Sequence, residues 1–176
     1  MRERGTASWG ERNSSWAVDP QNVSFLEELL RQGWFPARRR IIEVGCGTGP
    51  VLRWFADRSF EGLGIDISDT AIQMAREQSE GYNLSFCVAD ICGIETDSMG
   101  SFDLCVDAGA FHCLTDPYDR RQALARIHAL LQPNGVFVLM GMCAPVDRKN
   151  FSLIYEDQRI VNGISYAPSS DSAGIA

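Results

Sequence analysis

Gly45, Gly47 and Gly49 stand at every second position directly after the apolar run Ile41 to Val44, with Glu43 inside that run. Glycines so spaced let a backbone turn sharply and let a ligand approach with no Cβ in its way, and a helix starting at Pro50 would add free amides. Asp66 ends the next apolar run, 17 residues past Gly49. A carboxylate there can accept both hydroxyls of a ribose lying over the glycine turn, at close to the roughly 20-residue spacing that such recognition uses. The pair points to a nucleoside; the bland reading of Asp66 is a solvated acid closing a strand. Asp90 and Asp107 close two later apolar runs, and His112 lies just past the second. A histidine titrates near neutral pH, so His112 is the candidate general base and Asp107 the residue to orient it, against a reading in which the imidazole makes a structural hydrogen bond. His128 lies on an amphipathic stretch and has no such case. Cys46, inside the glycine turn, reads as a small packing residue before it reads as a nucleophile.

Strands and helices must carry these groups to one place. Ser24 and Glu27 form a capping box ahead of Leu29 and Leu30, which predicts a first helix of roughly two turns ending before Gly33. Strands are expected at Ile41 to Val44, Leu63 to Ile65, Leu84 to Val88, Phe102 to Val106 and Val136 to Met140. Helices are expected after Pro50, after the cap Ser68, and from Asp116-Pro117 to a stop at Pro133-Asn134-Gly135. Strands that do not alternate with polar residues, interleaved with helices, make a parallel sheet covered on both faces. Right-handed crossovers make it doubly wound, and its ligand crevice lies at the carboxyl ends of the strands, where the strand order reverses. All the acids above sit at those ends.

The 176 residues fit one domain, and 16 basic against 23 acidic side chains give a net charge of −7. That balance argues against nucleic acid as a partner, and the cluster Arg38-Arg39-Arg40 reads as a solvated strand end. No apolar run has the length of a membrane span, and the polar start lacks the apolar core of a signal peptide, so a cytoplasmic protein is expected, with no membrane partner. Six cysteines without a C-x-x-C pair favour buried free thiols over disulfides or a metal site. Asn162-Gly163 between β-formers signals a hairpin, and the small polar residues after it read as disordered.

The stretches EVGCGTG, GLGIDIS, CVADI and FDLCVDAGAFHCL resemble, in that order, the first motif and the next three strand ends of the class I S-adenosylmethionine-dependent methyltransferases, over about residues 40 to 142. A dehydrogenase would place its third glycine at position 50, which is Pro50. The resemblance implies an α/β, Rossmann-like, doubly wound and mainly parallel sheet with helices on both faces. It implies that Gly45, Cys46, Gly47 and Gly49 pass under the methionine part of S-adenosylmethionine, with Glu43 steadying the loop or approaching the ammonium through water. Asp66 would take the ribose hydroxyls and Ile67 would pack on the adenine. Asp90 would accept from the adenine amino group, with Ile91 nearby, and the backbone near Asp107 and Ala108 would meet the amino-acid end. Ile67 and Ile91 as plain core residues are the other reading.

VDAGAFHCL further resembles small-molecule members of the thiol and thiopurine methyltransferase kind, and the early SSWAVDPQNVSFLEELL resembles their N-terminal lid, in which Trp16 would cover the cofactor; Trp16 as an ordinary core or surface aromatic is the alternative. The family sheet has seven strands, so this chain is expected to lack the last pair and to leave its fifth strand as an open edge, which a homodimer or another partner would cover. The expected division is a flexible lid at 1–20, a cofactor-binding domain at 21–145, and a hairpin with a disordered tail at 146–176. The expected function is methyl transfer from S-adenosylmethionine to a small-molecule substrate; the alternative is a truncated, catalytically silent form that binds the cofactor or a protein partner.

Overall fold

The computed structural model describes residues 20–37 and 39–141, and the backbone of 159–161 and 164–166. The chain parts after Gly141 into two units. The first runs α1 (Pro20–Arg31), β1 (Arg40–Val44), α2 (Pro50–Ala56), β2 (Glu61–Asp66), α3 (Asp69–Gln78), β3 (Leu84–Val88), β4 (Phe102–Ala108), α4 (Pro117–Leu130) and β5 (Leu131–Met140). Its strands form one parallel sheet in the order β3-β2-β1-β4-β5. The order reverses between β1 and β4, so a crevice opens where their carboxyl ends diverge.

Burial explains why β1 and β4 are central. Ile41 to Val44 and Phe102 to Asp107 are buried without interruption, and successive side chains go to opposite faces. Ile41, Leu104, Val106 and Val138 join Leu26 of α1, Leu52 and Phe55 of α2, and Ile72 and Ala75 of α3. Ile42, Val44, Ile65 and Cys105 join Ala123, Ile127 and Leu130 of α4. Each fully buried large side chain contributes roughly 1.5–3 kcal/mol. Phe55 is the largest of them, and the rings of Phe35 and Phe60 meet it edge-on at centroid distances of 5.3 and 5.0 Å.

Two elements depart from the sequence expectation. α1 begins at Pro20 and spans 12 residues, so Ser24 lies inside the helix and not at its cap. Proline suits a first helical position because its φ is already helical and its missing amide hydrogen would have had no partner there. β5 begins at Leu131 and runs through Pro133-Asn134-Gly135. Those residues interrupt the pairing instead of preceding it: Phe102 pairs with Leu131 and Leu104 with Val136, and Asn134 takes φ +66°. A proline fits a strand only where the ladder is broken in this way.

The second unit is described through β6 (Arg159–Val161) and β7 (Ile164–Tyr166), which pair antiparallel with Val161 opposite Ile164. Among the described residues no helix is long and apolar enough to cross a membrane.

Ser68 ties the end of β2 to α3, since its buried hydroxyl accepts the Ala71 amide at 3.2 Å. Ser68→Ala leaves that amide without its cap and should lower the unfolding free energy by about 1 kcal/mol, read as a lower urea midpoint at an unchanged slope.

Candidate functional site

The glycine loop leaves β1 and folds down onto the end of β2. Gly45 and Cys46 both donate their amides to the Ile65 carbonyl, at 2.8 and 3.0 Å, Gly47 donates to Asp66 Oδ2 at 2.9 Å, and Gly49 donates to the Cys46 carbonyl at 2.9 Å. These four amides are therefore spent inside the protein. A diphosphate is held by such amides when they are free, so this loop suits a part of a ligand that carries no phosphate. Asp66 accepts the Ser68 amide with its other oxygen at 2.8 Å. A carboxylate has about four acceptor sites, so the half-buried Asp66 keeps capacity for hydroxyl donors.

The other wall of the crevice is the turn after β4. Asp107 is fully buried, and its Oδ1 accepts the amides of Gly109, Ala110 and Phe111 at 2.9, 2.9 and 3.1 Å. This gathers the turn over the strand end and brings Ala110 against Gly45, where a Cβ would come within 2.1 Å of the Ala110 Cβ. Gly45 also has φ +67°, so both contact and conformation require a glycine there. Asp107 Oδ2, Glu43 Oε2 and His112 Nδ1 are buried with no hydrogen-bond partner among the described residues. Proteins rarely leave such groups unpaired. Hydrogen-bond donors on a cationic ligand would satisfy the two carboxylate oxygens, so the residues present fit an amino-acid end with an ammonium group.

The two acids are electrostatically uneasy. Burial pushes the Glu43 carboxyl well above its ordinary range, and the Asp107 charge pushes the same way; the Leu52 amide opposes both, Asp66 adds to the rise, and Arg53 opposes it. Burial also raises Asp107, against the pull of the three turn amides and of His112. The hydrogen bonds of Asp107 Oδ1 go to the turn, and among the described residues the His112 Nδ1 has no partner.

The remaining candidates separate by environment. Ile67 follows Asp66 with 46% of its surface exposed, free to lie against a flat ring. Asp90 is half-buried, and its Oδ1 accepts the Cys92 amide at 2.9 Å. Ile91 is buried in the core on the α4 side, so its side chain is spent on packing. Cys46 is buried, and burial, reinforced by Glu43 and Asp66, raises its thiol far above the ordinary range. A thiol so held is no nucleophile. Ala108 is half-buried at the end of β4, and Trp16 lies outside the described residues.

Sequence reasoning missed Phe86 and Ala110. The Phe86 ring fills the space where a Cβ at Gly49 or Gly64 would stand, at 2.8 and 2.6 Å. No local pattern marks either residue, because each meets the loop only through the sheet. Open clefts of about 430 and 310 Å³ lie elsewhere, one beside the α3 to β3 turn and one at the amino ends of β1, β4 and β5. Neither contains the acids described above, so the crevice is identified by its chemistry and not by its size.

Two outcomes are expected. Gly45→Ala should cost about 1–3 kcal/mol from its φ alone and more from the clash, and adding Ala110→Gly should recover only the clash; urea denaturation of the single and double variants measures both parts. For Glu43 the fold favours the neutral carboxyl, so its contribution is whole below its ordinary value of 4.5 and is lost as pH rises through the higher folded value. Glu43→Gln should therefore be more stable than the parent by a margin that grows from pH 5 to pH 8, measured by urea midpoints without ligand.

A family model described as a methyltransferase domain matches residues 41–135. The chain is 30% identical over 146 residues to an S-adenosyl-L-methionine-dependent Diels-Alderase of Talaromyces variabilis, covering 77% of this chain and 50% of that one. It is 25% identical over 137 residues to a ubiquinone biosynthesis O-methyltransferase of Bordetella avium (strain 197N), covering 73% and 54%. Among solved structures it resembles CalS10, an amino pentose methyltransferase from Micromonospora echinaspora with SAM bound, at a TM-score of 0.61 and 27% identity over 76% of this chain and 54% of that one. The chain spans about half the length of the curated relatives it matches. The matched model takes in more than half of the chain, including the glycine loop, Asp66, Asp90 and the turn after β4, and the chain accordingly belongs to the class I S-adenosylmethionine-dependent methyltransferase family.

Proposed function

We propose that the chain binds S-adenosylmethionine across the carboxyl ends of β1, β2 and β4 and transfers its methyl group to a small-molecule acceptor. The observation that carries this reading is the glycine loop, four of whose amides are bonded within the fold, together with Asp66 at the end of β2 and two carboxylate oxygens, of Glu43 and Asp107, that are buried with no partner among the described residues. Such a site suits a ligand with a ribose and an ammonium and no phosphate.

When bound, the cofactor supplies a methyl group already activated on a sulfonium. The protein's part is then to align an acceptor, exclude water and, where the acceptor needs it, take a proton. Asp66 would hold the ribose hydroxyls with the oxygens that also fix Gly47 and Ser68. Ile67 would cover one face of the base, and Asp90 would accept from its edge. Glu43 and Asp107 would meet the amino-acid end, whose ammonium would favour the charged form of Glu43 against the burial that raises it. His112, half-buried in the turn after Asp107 and with Nδ1 unpartnered among the described residues, would receive a proton from an acceptor that needs to lose one.

The small-molecule acceptor is supported by the net charge of −7, which disfavours nucleic acid, and by relatives whose names concern ubiquinone biosynthesis and an amino pentose. Calorimetry should give binding of S-adenosylmethionine at roughly micromolar strength, and Asp66→Asn should weaken it by about 10–100-fold through the loss of charge-assisted hydrogen bonds. Absence of binding by the full chain would sink the reading. Binding without transfer of labelled methyl to any member of a metabolite panel would leave the catalytically silent alternative.

A further inference from the structure

The glycine loop is secured unevenly. Its first half is pinned to β2 through Gly45, Cys46 and Gly47, whereas the Thr48–Gly49 half has no hydrogen bond to β2 and carries φ +75° at Gly49. A side chain from α2 reaches that second half. Arg53 Nη1 donates to the Thr48 carbonyl at 2.6 Å and to Ser79 Oγ at 3.3 Å, and Nη2 donates to Gln78 Oε1 at 3.2 Å. The guanidinium therefore bridges the loop to the end of α3. It also lies close beside the loop, since a Cβ at Gly49 would stand 3.5 Å from Nη1. A second arginine braces the same region: Arg76 of α3 donates through Nε and Nη2 to the Phe86 carbonyl, at 3.2 and 2.7 Å, and the Phe86 ring supports Gly49.

We propose that Arg53 is a positioning residue for the cofactor: by holding the Thr48 carbonyl against the end of α3, it sets the second half of the glycine loop and thereby the affinity for the methionine end, without touching the ligand. This rests on the S-adenosylmethionine reading above. A planar guanidinium can serve several acceptors in fixed directions, whereas an ammonium on a flexible stem is a poorer bridge. The two residues flanking Thr48 are glycines, so without the bridge the restraint on this half of the loop falls to the bond from the Gly49 amide to the Cys46 carbonyl and to the Phe86 ring beside Gly49.

Isothermal titration of the full chain with S-adenosylhomocysteine and with 5′-methylthioadenosine, which lacks the amino-acid end, separates this role from general support. Arg53→Met should weaken S-adenosylhomocysteine about tenfold, the scale of one charge-assisted hydrogen bond, while 5′-methylthioadenosine changes by less than about twofold. Arg53→Lys should restore part of the loss, and amide exchange at Gly49 should quicken in the Met variant. Unchanged S-adenosylhomocysteine binding, or an equal loss for both ligands, would overturn the proposal. If Arg53→Met does not fold, Gln78→Ala with Ser79→Ala frees the far end of the bridge and should shift the two ligands in the same unequal way. If the parent chain binds neither ligand, the cofactor reading fails, and unaltered exchange at Gly49 in the Arg53 variants would then refute the bridge itself.

Discussion

The carbonyl of Ile65 and the carboxylate of Asp66 hold the start of the glycine loop onto β2, and the site depends on this junction. β1 is paired on both sides, to β2 and to β4, so the chain leaving it must turn over one neighbour or the other. Three hydrogen bonds to the end of β2 decide the direction. They place the loop beside the acid that would read a ribose, and they leave Gly45 facing the turn after β4. Asp66 is therefore a structural residue, and its oxygens keep further lone pairs for the hydroxyl donors proposed above.

The opposite wall is built with a similar economy. One oxygen of Asp107 gathers three successive amides into a tight turn, and the other is buried with no partner among the described residues. Glu43, buried on the neighbouring strand, likewise has an oxygen with no partner among the described residues. The Asp107 charge adds to the burial that pushes the Glu43 carboxyl up, and a cationic ligand beside it would favour the charged form instead. The cost of these buried acids is offset by the apolar packing on both faces of the sheet, as it would be at a site kept for a ligand at the expense of stability.

Much of the fold was legible in the residues. Apart from Glu43 and Asp103, Ile41 to Val44 and Phe102 to Val106 are apolar without alternation because both faces of the sheet are covered, and that pattern implies a parallel, double-sided sheet. Pro50, Ser68 and Asp116-Pro117 marked helix starts because each answers a local need of unpaired amides, and the structure has helices beginning there. The same local logic misled at Ser24, where a capping box lies within α1, and at Pro133-Asn134-Gly135, where a turn signal became an irregularity in an edge strand. In both places the chain had two locally acceptable structures, and packing chose between them.

By itself the sequence determined the order of elements, the acids at the strand ends and the glycines that admit a close approach, since all of these follow from neighbours along the chain. Only the tertiary structure decided what each group spends its hydrogen bonds on. Ile91 goes into the core while Ile67 stays exposed, although both follow a strand-end acid; Cys46 is a buried thiol; Ala110 seals Gly45; and Phe86 and Arg53 support Gly49 from other elements. Such choices depend on residues far apart in the chain that the sheet brings within contact, and no local spacing records them.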